Sequence, residues 1–252
     1  MLTVENLHAG YETARVLEGI SLTVEDGESV ALLGRNGMGK TTLVRAVCGL
    51  RPPTVTADSA AVDAASGGTR SRVTFADTDL LALPPHEITG TGIGLVPQGR
   101  RVFGSLTVEE NLGMVGGRRK KGNGKTQRWT IPRVFEFFPR LEERARAMAR
   151  TLSGGEQQML AIARALMTNP ELLIMDEPSE GLAPTVLEVI RERLTQLRNT
   201  GLSVLVAEQN VDFALAISDR VFILGEHGSM AWSGPSETLH DDPEPLHQHL
   251  GL

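Results

Sequence analysis

Near the N-terminus Ile20, Leu22 and Val24 alternate with Ser21, Thr23 and Glu25, a period of two that predicts a strand with one buried face. A small antiparallel sheet is expected to begin the chain. Residues 30–33, 93–96, 172–175, 204–207 and 221–224 are short apolar runs without alternation, the pattern of strands buried on both faces. Between them Leu43, Val47 and Leu50, then Met159, Ile162, Ala163 and Leu166, then Leu187, Ile190, Leu194 and Leu197 recur at helical spacing. Strands alternating with helices predict an α/β fold around a mostly parallel sheet. Pro52 and Pro53 read as the stop of the first helix, Pro170 of the second and Gly201 of the third.

Two segments lack any core pattern. Residues 54–72 (TVTADSAAVDAASGGTRSR) read as a loose surface loop rich in small and polar residues. Residues 116–128 (GGRRKKGNGKTQR) hold six basic side chains and no acidic one, so the run repels itself and is expected to be solvated. A contact between this run and anionic lipid headgroups, each Lys or Arg contributing about 1 kcal/mol, is a hypothesis its charge raises. Replacing its basic residues with Ser or Gln would then weaken binding to anionic vesicles, and unchanged binding would refute it.

Composition narrows the function classes. Of 252 residues 40% are apolar and 22% charged, which fits one folded α/β domain, or one with a lobe, and disfavours disorder. No apolar run approaches the roughly 18 residues that span a bilayer, and residues 1–15 lack the pattern of a secretory signal. Cys48 is the sole cysteine, excluding an intrachain disulfide framework and a multi-Cys zinc site. A cytoplasmic location is the expectation. With 25 Lys plus Arg against 31 Asp plus Glu, a net charge of −6 and 4% aromatics, nucleic acid is not an expected partner.

Gly34-Arg35-Asn36-Gly37-Met38-Gly39-Lys40-Thr41 follows an apolar run and opens a helical pattern, the context of a phosphate-binding P-loop. Glycines allow backbone N–H groups to converge on an anion, the helix N-terminus adds positive potential, and Lys40 brings a full charge to the β- and γ-phosphates. Thr41 is a candidate Mg²⁺ ligand. Asp176 and Glu177 leave the end of an apolar strand, the edge at which ligands bind in open α/β sheets. Asp176 reads as a Mg²⁺ holder and Glu177 as a general base for water, although strand-end acids also merely cap helices. Ser153-Gly154-Gly155-Glu156 opens another helix, where Ser153 and Glu156 have the spacing of a capping box.

The order of the P-loop, LSGGEQQ and the Asp176–Glu177 strand resembles the ATP-binding-cassette ATPases. The resemblance implies a P-loop NTPase with a RecA-like core, an N-terminal antiparallel β subdomain and a helical subdomain. Residues 1–98 and 155–252 would form the nucleotide-binding core and 99–154 the helical subdomain. The cofactors would be ATP and Mg²⁺, bound by Gly34, Asn36, Gly37, Gly39, Lys40, Thr41 and Thr42, with Tyr11 stacked on adenine. Gln98 would touch Mg²⁺ and the attacking water, while Ser153, Gly154, Gly155 and Glu156 would complete the ATP site of the opposite subunit. Where most of the family has a histidine contacting the γ-phosphate this chain has Gln209, which can donate a hydrogen bond but cannot become cationic. Ala183 likewise stands where an aspartate is usual.

The strings LPPHEI, GIGLVPQGRRVF, SLTVEENL, LSGGEQQMLAIARALM, DEPSEGLAP and AEQN resemble the branched-chain amino-acid importer ATPases, with urea-importer ATPases as close relatives. This implies an ATPase subunit at the inner face of the cell membrane. Its expected partners are a second ATPase subunit, identical or not, two membrane permeases and an extracytoplasmic substrate-binding protein. A soluble non-transport cassette ATPase is the rival reading. A P-loop kinase would lack LSGGE and need an acceptor site.

Overall fold

The computed structural model describes residues 1–11, 14–50, 71–115 and 128–251. Most of the two expected loops, residues 54–70 and 116–127, lies outside the described residues. Arg72, read as the end of a loop, instead opens a strand. In chain order the strands are β1 (Leu2–Tyr11), β2 (Ala14–Val24), β3 (Ser29–Leu33), β4 (Arg72–Phe75), β5 (Thr78–Asp79), β6 (Ile93–Val96), β7 (Leu172–Asp176), β8 (Ser203–Glu208), β9 (Arg220–Leu224) and β10 (Met230–Pro235). The described helices are α1 (Lys40–Val47), α2 (Pro85–Thr91), α3 (Val108–Gly113), α4 (Ile131–Phe137), α5 (Pro139–Glu143), α6 (Gly154–Leu166), α7 (Pro184–Arg198), α8 (Val211–Ile217), α9 (Ser236–Asp241) and α10 (Glu244–Leu250).

A four-stranded sheet runs β2-β1-β4-β5 and a six-stranded sheet runs β10-β9-β3-β8-β7-β6. The first is antiparallel. In the second, β9, β3, β8, β7 and β6 are parallel and β10 closes the edge antiparallel to β9. Each of the five unalternating runs is one of these parallel strands. Their side chains divide by parity: Val30, Leu32, Ile174, Leu205 and Leu224 pack with α1 and the antiparallel sheet, whereas Ala31, Leu33, Met175, Val206 and Ile223 pack with α6, α7 and α8. Both faces are covered, so neither face of a strand can be polar.

The first helix stops earlier than the prolines suggest. Gly49 takes a left-handed φ of 61° and Leu50 N–H donates to the Arg45 carbonyl at 2.9 Å, the bond of a Schellman turn. Leu50 therefore lies beyond α1 and is 37% exposed. The second helix ends at Leu166, with Asn169 left-handed before Pro170, and the third ends at Arg198 just before Gly201 at φ 78°.

Residues 99–151 carry α3, α4 and α5 beside α6. Thr107 and Glu110 close a capping box at the start of α3, which helps define a six-residue helix too short to persist alone. Trp129, Phe137 and Phe138 pack edge to face, and the Trp129 N–H donates to Asn169 Oδ1 at 2.6 Å. That bond ties this segment to the turn after α6.

Candidate functional site

Parallel pairing brings residues far apart in the chain to one sheet edge. Leu33, the last residue of β3, pairs with Glu208 of β8, and Ala207 pairs with Asp176 of β7. The loops after β3, β6, β7 and β8 thus leave side by side, as expected of a ligand-binding edge in an open α/β sheet. Gly34 to Gly39 run from β3 into α1, with Gly37 and Gly39 at φ 86° and 98°. At Gly39 a Cβ would also fall 2.5 Å from Leu17 Cδ2, so a side chain there meets both strain and a clash. No side-chain hydrogen bond caps α1, and the uncapped N-terminus of a helix is suited to an anion.

Lys40 is 3% exposed. Its ammonium donates to the carbonyls of Gly34 (2.8 Å) and Arg35 (3.3 Å) and lies 3.1 Å from Glu177 Oε1. A buried ammonium requires such partners, because desolvation without them would neutralise it. Thr41 Oγ1 donates to Asp176 Oδ1 at 3.1 Å. Burial, reinforced by the Glu177 charge, pushes the Asp176 carboxyl up to about 6 against the Thr41 hydrogen bond and the charges of Arg45 and Lys40. A carboxyl so perturbed at a strand end beside the phosphate loop is a candidate functional group. Glu177 itself takes a left-handed φ of 47°, held by its N–H donating to Ala207 O at 2.8 Å.

Gln98, just past β6, donates from Nε2 to Glu177 Oε2 and to Glu180 Oε2, both at 3.0 Å. Asn36, Gln98, Glu177, Glu180, Glu208 and Gln209 are among the residues lining a cavity of about 490 Å³. Two residues of this neighbourhood escaped the sequence reading. Glu208 is buried and accepts from the N–H groups of Ser179 (2.8 Å), Gln209 (3.0 Å) and Asn210 (3.2 Å). Burial raises its carboxyl despite those bonds. The signal was available, since Glu208 ends an apolar strand as Asp176 does. Arg100 donates to the backbone carbonyls of Glu180 and Gly181 at 2.8 and 2.7 Å, a contact that no spacing announces.

Tyr11 lies elsewhere, with its hydroxyl 3.4 Å from Thr42 Oγ1 and Arg45 Nη1 on α1. Ser153, Gly154, Gly155 and Glu156 are also outside the cavity lining. The expected capping box is present, Glu156 N–H donating to Ser153 Oγ at 3.3 Å and Ser153 N–H to Glu156 Oε2 at 2.8 Å. Burial works against the Glu156 charge, but the Ser153 bonds with Arg144 and Arg140 hold its carboxyl below the usual value. At Gly155 a Cβ would fall 2.3 Å from Val186 Cγ1 of α7, so α6 seats its first turn directly on α7.

Residues 17–180 match the family model described as ABC transporter. The chain is 41% identical over 251 residues to the high-affinity branched-chain amino acid transport ATP-binding protein BraG of Pseudomonas aeruginosa, covering 100% of both chains. It is 36% identical to the probable branched-chain amino acid transport ATP-binding protein LivF of Archaeoglobus fulgidus, covering 98% of each. It is 35% identical to the lipopolysaccharide export system ATP-binding protein LptB of Escherichia coli, over 96% of this chain and 93% of that one. Among solved structures, the ADP conformation of MJ1267, an ATP-binding cassette of an ABC transporter, superposes with a TM-score of 0.77 at 25% identity, covering 100% of this chain and 98% of that one. With the P-loop, the Asp176–Glu177 strand end and the Ser153 helix start on one such fold, the chain belongs to the ABC transporter family of ATP-binding cassettes.

Proposed function

We propose that this chain is the ATP-hydrolysing subunit of an importer for branched-chain amino acids. The observation that carries ATP hydrolysis is the meeting at one sheet edge of Lys40 and Gln98 on Glu177 and of Thr41 on the neighbouring Asp176. Full-length similarity to BraG supports the substrate class, and similarity to LptB keeps an exporter in view.

Gly34, Asn36, Gly37, Gly39, Lys40, Thr41 and Thr42 are assigned to the nucleotide phosphates and Tyr11 to adenine. Thr41, Asp176 and Gln98 offer hard oxygen donors suited to Mg²⁺. Among the described residues no group of three or more His, Cys, Asp or Glu could hold a metal ion, and Mg²⁺ is ordinarily held by one or two protein oxygens together with substrate phosphates. Held there with ATP, Mg²⁺ would supply charge neutralisation for phosphoryl transfer. Lys40 leaves Glu177 for the phosphate, which frees the carboxylate to accept a proton from water positioned by Gln98. Gln209 donates a hydrogen bond toward the γ-phosphate in place of the imidazole usual there.

Ser153, Gly154, Gly155 and Glu156 are assigned to the ATP site of a second ATPase subunit, in a head-to-tail pair. Residues 99–154 are assigned as the lobe facing two permeases and 1–98 with 155–252 as the nucleotide-binding core. A cytoplasmic position against the membrane, with an extracytoplasmic binding protein supplying solute, completes the proposal. Among the described residues no helix is long and apolar enough to cross a membrane. The test is uptake of labelled leucine and labelled urea by native cells whose only copy carries Glu177→Gln. Loss of leucine uptake alone supports the branched-chain reading, loss of urea uptake alone moves it to the urea relatives, and loss of neither refutes both.

A further inference from the structure

Segment 179–183 follows the assigned base and lacks an acidic side chain at Ala183 to fix its course. Ala183 provides no side-chain cap for α7. The segment's internal bonds are long, Glu180 N–H to Glu177 O and Leu182 N–H to Ser179 O, both 3.2 Å. Shorter bonds come from outside it: Ser179 N–H donates to Glu208 Oε1 (2.8 Å) at its start, and Arg100 Nη2 donates to the successive carbonyls of Glu180 (2.8 Å) and Gly181 (2.7 Å) at its middle.

The guanidinium sits between two glycines. A Cβ on Gly154 would fall 2.4 Å from Arg100 Nη1, and one on Gly181 3.1 Å from Nη2. The side chain therefore touches three segments at once: its own loop beginning at Gln98, the backbone after Glu177, and the first residue of α6 after Ser153. Its backbone is left-handed, φ 50°, a conformation that a long side chain seldom adopts without surrounding structure to hold it. Gln98, two residues away, bonds Glu177 and Glu180, so the loop grips the segment at two points.

We infer that Arg100 is a positioning residue for hydrolysis: it clamps the 180–181 backbone to the Gln98 loop and to the start of α6. The orientation of Glu177 is thereby tied to the segment offered to the opposite subunit. This rests on the roles given above to Glu177, Gln98 and Ser153. Both bonds leave Nη2 while Nη1 lies against Gly154, a fit that needs the flat, rigid guanidinium; a lysine ammonium has three donors but is a compact charge on a flexible stem and cannot fill both places.

The test compares Arg100→Ala and Arg100→Lys with wild type by steady-state ATP turnover of the full chain, by direct binding of a fluorescent ATP analogue, and by thermal melting. For Arg100→Ala, kcat is expected to fall about tenfold while nucleotide affinity stays within about twofold, and Arg100→Lys is expected to remain well below wild type. Equal losses of kcat and affinity, or wild-type kcat in either folded variant, would overturn the inference. Should Arg100→Ala fail to fold, Arg100→Lys decides. Glu177→Gln serves as control: if it hydrolyses ATP normally, the underlying assignment fails, and if it is inactive while Arg100→Ala is fully active, only this inference does.

Discussion

Lys40 of the phosphate loop is paired with Glu177, its ammonium 3.1 Å from the carboxylate that is assigned as general base. The partners leave their loops at residues far apart in sequence, and the parallel pairing of β3, β8 and β7 brings them together. In the proposed site, the cation assigned to the phosphates is thus stored against the group assigned to act on water. Nucleotide binding would then exchange one anion for another at Lys40, and its charge would not be left buried and alone.

Replacing Lys40 with Ala deletes one charge-assisted hydrogen bond to phosphate, worth about 1.5–3 kcal/mol. ATP affinity is therefore expected to fall about 10- to 100-fold. Titration with a fluorescent ATP analogue measures it, and an unchanged affinity would contradict the assignment of the loop.

Asp176 supplies a pH-dependent prediction. Its carboxyl stands at about 6 instead of 3.8, chiefly through burial. Because the folded value is raised, the favourable contribution is fully present below 3.8 and is lost as pH climbs from there through about 6. Above that window the ionised side chain is a standing cost, on the order of 3 kcal/mol. In EDTA and without nucleotide, Asp176→Asn should melt higher than wild type near about pH 7.5, with the gap closing toward about pH 4. The amide oxygen can still accept from Thr41, which keeps the comparison clean. A variant less stable than wild type at both pH values would show that burial does not govern this carboxyl.

Much of this arrangement was legible in the amino-acid order because unmixed apolar runs have few alternatives to strands covered on both faces. The P-loop and the Ser153–Glu156 box were legible for a different reason, each being a short local pattern at a helix start whose backbone N–H groups need partners. The pattern failed where a backbone irregularity intervened. In β1, Leu2 and Val4 face the core, but Asn6 adopts a φ of 47° and the register shifts, so Leu7 and Ala9 continue the buried face in opposite phase. Alternation there is hidden until the bulge is seen. Gly49 ended α1 because a left-handed residue closes a helix more abruptly than a proline several positions later. The Arg100 clamp depends on three loops converging, and no single stretch of sequence contains it.

Ser153 is expected to have two separable effects. As the N-cap of α6 its loss in Ser153→Ala should cost about 1 kcal/mol in urea unfolding. As a contributor to the opposite subunit's site, the same change should lower ATP turnover much further than that small loss explains, with nucleotide affinity of the isolated subunit preserved. A drop in stability alone, with normal turnover, would reduce Ser153 to a cap.

The most direct test is ATP turnover by Glu177→Gln at saturating Mg²⁺–ATP, set beside its affinity for the nucleotide. Glutamine keeps the shape of the side chain, cannot take the proton from water, and no longer competes for Lys40 as an anion. Turnover reduced about 10²- to 10⁴-fold, with ATP bound at least as tightly as by wild type, is the expected result. Turnover near the wild-type rate would contradict the assignment of Glu177 as the base and with it the hydrolytic site built around the Lys40 pair.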